Sequence, residues 1–250
     1  MIDIEQVRAQ LPGRRVEWFA SIGSTMDEAA RLAAEGCASG TAVVAEEQTA
    51  GQGRHGRRWH SEPGSGLYVS VVLRVALAPD SLPVVTLALG LAAAEAIART
   101  TGLRPDLRWP NDIMLDDRKT AGILVQLVDG VVIAGIGVNV NHAALPPELA
   151  AEATSLRIAS GRIQSRDQLL AALLPAADRF SRKLEEEGRA AIIEQFTRAS
   201  SYALGKRVRV EQPGGTLEGT TAGLDPSGFL ILRAGDGSQS LILAGGVRSA

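Results

Sequence analysis

Four short stretches of this chain carry residue types that chemistry needs. In Gly51-Gln52-Gly53-Arg54-His55-Gly56-Arg57-Arg58, glycines alternate with cationic side chains. Glycine lets the main chain pass close to a ligand with its N–H groups exposed, and arginine forks grip carboxylate or phosphate oxygens in pairs. The glycine spacing also matches a dinucleotide fingerprint, which has meaning only where a helix starts behind it and points at a pyrophosphate. Here Trp59-His60-Ser61-Glu62-Pro63-Gly64-Ser65-Gly66 follows, and Pro63 and the glycines oppose a helix. No suitable acid follows at about 20 residues either. The dinucleotide reading fails. The long segment from Gln48 to Gly66 is then either a solvated surface loop or a binding loop, and its length between two strands favours binding.

Arg108-Trp109-Pro110-Asn111-Asp112 sets an aromatic, a rigid turn and two polar side chains at a strand end. Taken alone it reads best as a tight turn with local hydrogen bonds. Lys119 precedes the apolar Thr120-Ala121-Gly122-Ile123-Leu124-Val125 and so stands at the mouth of a buried strand. It is either an ordinary edge charge or a cation aimed at an anion in a cleft. Of 26 basic residues only Lys119, Lys183 and Lys206 are lysine, which favours the second reading. Gly135-Ile136-Gly137-Val138-Asn139-Val140-Asn141 ends a strand with glycines that mark either a close ligand approach or a bulge. No Gly-Lys-Ser/Thr phosphate loop, zinc-ligand spacing or Gly-x-Ser-x-Gly elbow occurs, and His55, His60 and His142 read as polar loop residues.

These residues need elements to position them. The pattern predicts a helix over Ile4–Leu11 and a strand over Val16–Phe19, then a helix opened by a Ser24/Asp27 capping box and stopped near Gly36. Strands follow at Thr41–Glu46 and Leu67–Val75, then a largely apolar helix over Leu82–Thr101 and a strand near Leu107–Trp109. Thr120–Val128 and Val131–Val138 form a hairpin about Asp129-Gly130, and helices cover Arg166–Glu187 and Arg189–Ser200. From Gly205 the pattern changes to short strands at Arg207–Glu211, Leu217–Leu224, Phe229–Arg233 and Ser240–Leu243. Pro213-Gly214-Gly215, Asp225-Pro226-Ser227-Gly228 and Gly235-Asp236-Gly237 separate them, as in a small barrel. A boundary near Tyr202 divides the chain into 1–201 and 202–250.

The 250 residues are 45% hydrophobic and 22% charged, enough to bury a core and exclude disorder as the dominant state. A net charge of −2 offers no bulk attraction to nucleic acid. Cys37 is the single cysteine and suits a reducing compartment. The opening Met1-Ile-Asp-Ile-Glu-Gln is unlike a signal peptide, and the apolar stretch Val84–Ala98 is too short to span a bilayer. The expectation is a cytoplasmic globular protein with no membrane or nucleic-acid partner.

In order and spacing, Ser24-Thr25-Met26, Gln48 through Trp59, Arg108 through Asp112, Arg118-Lys119-Thr120-Ala121-Gly122-Ile123-Leu124 and Gly135 through Asn139 resemble the biotin–protein ligases. Each motif is weak alone, and five in register are specific. The resemblance covers nearly the whole chain. It implies an α/β (α+β) catalytic domain with a mixed, largely antiparallel sheet and flanking helices, followed by a small all-β SH3-like domain. It implies two half-reactions, in which biotin and ATP with Mg2+ give biotinyl-5′-AMP and pyrophosphate, and a lysine of a biotin carboxyl carrier protein or domain then takes the biotin. By the same resemblance Arg54 and Lys119 are catalytic and hold carboxylate and phosphate oxygens. Ser24, Thr25, Met26, Gln48, Gly51, Gln52, Gly53 and Gly122 complete the biotin site with them, while Arg57, Trp59, Asn111, Asp112 and Asn139 join them around the adenylate. Asp112 is further assigned to orienting the incoming amine or a magnesium ion.

Two positions depart from the pattern: Gln52 stands where many relatives are basic, and Met26 where several have asparagine. Only 23 residues precede Ser24, too few for a DNA-binding domain with a linker, so a ligase without repressor activity is expected. A homodimer is compatible with the resemblance but is not specified by it. Lipoate–protein ligases and octanoyl transferases, which share the catalytic fold, are the nearest enzymatic alternative, and a non-catalytic biotin or adenylate sensor is the other.

Overall fold

A computed structural model describes residues 1–76, 79–212 and 215–250. In chain order the first part holds α1 (Ile4–Gln10), β1 (Val16–Phe19), α2 (Thr25–Ala34), β2 (Ala42–Ala45), β3 (Gly66–Leu73) and α3 (Leu82–Thr101). Then come β4 (Asp106–Arg108), β5 (Asp112–Leu115), β6 (Arg118–Val128), β7 (Val131–Asn139), α4 (Pro147–Ala150), α5 (Leu156–Ser160) and α6 (Arg166–Ala199). The strands form a seven-stranded sheet in the order β1-β2-β3-β7-β6-β5-β4. Among these seven strands β1 and β2 pair in parallel, through the crossover helix α2, and the other neighbours are antiparallel. The expected mixed, largely antiparallel sheet is present.

Strand periodicity decides which side chains meet which layer. Val69, Val71 and Leu73 of β3 join the main core with Leu87, Leu89 and Ile97 of α3 and Leu170, Leu173 and Phe180 of α6. The opposite face sets Val43, Val72 and Ile133 against Met26, Ala29 and Leu32 of α2. Every residue of β3 is buried, because both of its faces are covered. α3 is apolar nearly all round for the same reason, lying between the sheet and α6. Its 20 residues are long and apolar enough to cross a membrane by length and composition, which corrects the judgment that this stretch is too short. Here its apolar surface is spent on the core.

Local expectations fare unevenly. Ser24 caps α2 by accepting a bond from the Met26 N–H (3.2 Å), but Asp27 does not reach back to complete a capping box. Its carboxylate accepts from Gln52 instead (2.8 Å). Asp129 and Gly130 take positive φ (48° and 78°), as the predicted hairpin turn requires. The two predicted late helices form one run broken at Gly188, where φ is 80°. β5 escapes the sequence pattern, since its turn into β6 uses Asp116 and Asp117 at positive φ and no glycine. Lys119 consequently lies inside β6 rather than before it.

The C-terminal strands β8 (Leu204–Gln212), β9 (Gly215–Leu224), β10 (Leu230–Arg233), β11 (Gln239–Ile242) and β12 (Gly246–Ser249) form an antiparallel five-stranded sheet in the order β11-β10-β9-β8-β12. β12 was not anticipated. The predicted turn at Pro213-Gly214 lies outside the described residues. Buried Trp109 donates its indole N–H to the Gly228 carbonyl (2.9 Å), and the Tyr202 hydroxyl donates to Asp117 (2.9 Å). These bonds bring the C-terminal sheet up to the end of β4 and β5.

Candidate active site

On the face of the sheet that carries α2, large side chains give way to small ones. Gly122 of β6 pairs directly with Gly137 of β7, leaving a bare floor of main chain between two strands. The Trp59 indole lies on that floor. A Cβ built on Gly137 would sit 2.4 Å from Trp59 Cε2, and one on Gly122 would meet Trp59 Cζ3 at 3.0 Å. The glycines here mark a close approach, and the segment reads straight through without the alternative bulge. Substituting Gly137→Ala is therefore expected to expel the indole and shift tryptophan emission to the red. The same change in a Trp59→Phe chain should produce no such shift, and an unchanged spectrum in the single variant would show that the indole is not held there.

Trp59 roofs an inner chamber of about 50 Å³, room for only a few waters, lined by Thr25, Met26, Gln48, Gln52, Gly53, Arg54, Lys119 and Gly122 among others. All eight belong to the predicted biotin set. Ser24 and Gly51 do not line it: Ser24 spends its hydroxyl on the helix cap, and Gly51 is pressed against the Trp59 carbonyl and Ser61. An outer cleft of about 540 Å³ continues from the chamber toward the C-terminal sheet, lined by Arg54, Arg57, Trp59, Asn111, Asp112, Lys119 and Asn139. These are the seven residues predicted around the adenylate. Gly53, Arg54, Trp59, Asn111 and Lys119 border both spaces and form the passage between them.

The inner end is a polar relay. The Thr25 N–H and hydroxyl both donate to Gln48 Oε1 (2.8 and 3.0 Å), and Gln48 Nε2 donates to Ser61 (3.1 Å). Thr25 Oγ1 also meets Ser70 Oγ of β3 at 2.8 Å. With one proton on the Thr25 hydroxyl directed at Gln48, Ser70 is the donor of that bond. Ser70 and Tyr68 were not anticipated; they sit in a strand whose apolar neighbours give no sign of a site.

The loop itself is held at a few points. Gly53 N–H donates to Arg57 O (2.7 Å), Arg57 N–H to Arg54 O (3.2 Å), and a single 3-10 turn covers Arg54–Gly56 with His55 at φ 57°. No dinucleotide helix forms. The Gln52–Asp27 bond latches the loop to α2. Arg54, Arg57 and Arg58 all line the cleft, and of these Arg58 is tied back to the Thr49 carbonyl (2.7 Å).

Charge in the passage is arranged in two units. Asp112 is half-buried between two cations, with Lys119 Nζ 2.6 Å from Oδ1 and an Arg108 N–H donating to Oδ2 at 2.8 Å. Burial alone would push the Asp112 carboxyl up, but Lys119 and Arg108 outweigh it and hold it below the ordinary carboxylate range. Lys119 Nζ also lies 5.3 Å from the centroid of the Trp59 ring, within cation–π reach. Arg54 differs. It donates to Asn111 Oδ1 (2.9 Å), whose Nδ2 is fixed by donating to the Ile123 carbonyl (2.9 Å), and among the described residues it pairs with no carboxylate. Burial pulls its pKa down, against the field of Asp112, yet an arginine stays charged at neutral pH. A half-buried guanidinium facing a neutral amide is a cation waiting for an anion.

The chain is similar to known proteins over most of its length. Residues 18–142 match the biotin/lipoate A/B protein ligase family, and residues 203–247 match the biotin protein ligase C-terminal domain. The biotin--[acetyl-CoA-carboxylase] ligase of Mycobacterium tuberculosis is 34% identical over 257 residues, covering 98% of this chain and 95% of the relative. The bifunctional ligase/repressor BirA of Bacillus spizizenii is 34% identical over 247 residues, covering 95% of this chain and 75% of the relative. Among solved structures, a biotin protein ligase from Aquifex aeolicus in complex with biotin and ATP superposes with a TM-score of 0.83 at 31% identity, covering 94% of this chain and 99% of that one. With both matched segments, the relatives' identity along the chain and the fold in agreement, this chain belongs to the biotin protein ligase family and is an ATP-dependent ligase acting on biotin.

Proposed function

We propose that the chain joins biotin to a lysine of the carrier domain of a biotin-dependent carboxylase, with the bicyclic head of biotin in the inner chamber and ATP in the outer cleft. The observation that carries the reading is the passage between them, where Arg54 and Lys119 flank the point at which two anions must meet. In the first step a biotin carboxylate oxygen attacks the α-phosphorus of ATP, the bond to the β-phosphate oxygen breaks, and pyrophosphate leaves. Carboxylate and triphosphate repel each other, so fixed cations lower the barrier as charge gathers on the phosphorus oxygens. In the second step the neutral amine of the carrier lysine attacks the carbonyl carbon, AMP departs, and the amine loses a proton as the amide forms.

Thr25 and Gln48 are proposed to recognise the biotin head, with Met26 supplying apolar contact. Asn111 and Asn139 are proposed to face the adenylate, and Trp59 to move aside and then cover it. The small chamber under Trp59 supports that motion, since a bicyclic ligand needs more room than a few waters occupy. Asp112 has both oxygens on cations, and Glu152 and Glu211 pair with Arg248, so the cleft's carboxylates do not suit a resident Mg2+. Magnesium is therefore proposed to arrive on the phosphates of ATP. The single buried cysteine and the net charge of −2 support a cytoplasmic ligase without a nucleic-acid partner.

Single-turnover ATP–pyrophosphate exchange tests the reading. Exchange should require biotin and be absent with lipoate. Exchange with lipoate alone would keep the fold and overturn the substrate, and biotin binding without exchange would make the site a sensor.

A further inference from the structure

His60, Glu62 and His142 meet at the far end of the glycine–arginine loop, where His60 also borders the outer cleft. Their ligand atoms all lie within 4.8 Å of one another. His142 is almost wholly buried, and neither of its ring nitrogens has a hydrogen-bond partner. A buried imidazole without partners is costly, so such a ring calls for an explanation. Its Nε2 lies 3.8 Å from Glu62 Oε2. That separation is too long for a hydrogen bond but lies within the span of two metal–ligand bonds of about 2.0–2.2 Å each. The His60 ring stands 5.9 Å from the His142 ring, centroid to centroid, at 46°. His60 and Glu62 are exposed at the surface, so both can close the remaining distance without disturbing the core.

The main chain brings the three together by fixed bonds. Asn141 N–H donates to Ser65 O (2.6 Å), Ser155 Oγ donates to the His142 carbonyl (2.7 Å), and Tyr68 Oη donates to the Glu62 carbonyl (3.0 Å). We propose that His60, Glu62 and His142 bind a divalent transition-metal ion of the zinc type, and that the ion ties the limb of the loop next to Trp59 to the segment after β7. Two imidazoles and one carboxylate suit zinc and its neighbours better than magnesium or calcium, and three protein ligands leave a position for water. The binding claim stands apart from the proposed substrate in its readout: Glu62 and His142 line neither the chamber nor the cleft, His60 borders the cleft, and zinc affinity is measured without biotin or ATP.

The test uses the full chain, stripped with a chelator, dialysed, and titrated with Zn2+ against a chromophoric competitor and with Co2+ followed by its visible bands. One equivalent should bind, and the zinc-loaded protein should melt at a higher temperature than the stripped one. The chain has only 3 histidines, so the controls are few. His60→Ala and Glu62→Gln, both at the surface, should each weaken Zn2+ by about 10–100-fold or more, since even outer-sphere partners of a metal contribute that much. His142→Ala should abolish binding, and His55→Asn should leave the affinity unchanged. Absence of a stoichiometric site in the unaltered chain would overturn the proposal. So would an unchanged affinity in His60→Ala and Glu62→Gln, or loss of the site in His55→Asn. Retained biotin-dependent pyrophosphate exchange in a chain that binds no zinc would sink this inference and leave the ligase reading intact.

Discussion

Replacing Arg54 with alanine is expected to slow formation of the adenylate by about 10²–10³-fold, the range seen when one donor to a developing oxyanion is removed. Arg54 holds a charge that no carboxylate of the described protein neutralises, and it borders both the chamber and the cleft. Its worth therefore lies with the bound anions and not with the fold. Stability should change little, because the bond given up is one to the Asn111 amide. The loop also carries this side chain, so the variant should release biotinyl-5′-AMP early and expose the mixed anhydride to water. Rapid gel filtration after a single turnover measures the retained adenylate. Retention equal to that of the unaltered chain would remove the lid role from this loop, whatever happens to the rate.

Lys119→Ala should cost as much in rate, again about 10²–10³-fold, but unlike Arg54→Ala it should also destabilise the protein. Lys119 is one of two cations on half-buried Asp112, and removing it leaves that carboxylate with Arg108 alone. The pH dependence separates the effects. In the unaltered chain the Asp112 pKa is lowered from 3.8, so its pairing stabilises above pH 3.8 and that contribution is lost as the pH falls through the lower folded value. Without Lys119 the depression shrinks, so the stability gap between the two proteins should be full at neutral pH and narrow on acidification. Adding Asp112→Asn to Lys119→Ala should recover stability, because no half-buried carboxylate is then left short of a partner. It should not recover the rate. Thermal melts at several pH values and single-turnover kinetics read the two separately. Recovery of the rate by the double variant would mean that Lys119 acts only through Asp112.

Several features of this protein were legible without coordinates because they are local. The helix at Leu82–Thr101, the turn at Asp129-Gly130 and the break at Gly188 rest on apolar runs and on backbone conformations that neighbouring residues dictate. The failure of a helix to follow Gly51–Gly56 was equally local, since Pro63 and the glycines beyond it oppose one. Part of the candidate site was legible as well: the glycine–arginine loop with Arg54, and Lys119 at the end of an apolar strand, stand out by residue type. Thr25, Gln48 and Asn111 do not, and only the resemblance to the biotin–protein ligases singled them out.

What the sequence left undecided were the partners. Asp27 reads in the sequence as a cap for its own helix, and the approach of Gln52 in the folded chain makes it a latch for the loop instead. Asp112 reads as a turn residue, and its charge acquires a role once β5 and β6 pair and bring Lys119 beside it. Ser70 and Tyr68 lie in a strand that looks purely structural until α2 and the Gln48 segment fold over it. His142 looked like a polar loop residue, and its burial opposite Glu62 depends on a segment far away in the chain. The division has a physical cause. Backbone conformation and burial pattern follow from near neighbours, whereas the pairing of charges and donors depends on distances that arise only when separate strands share one sheet.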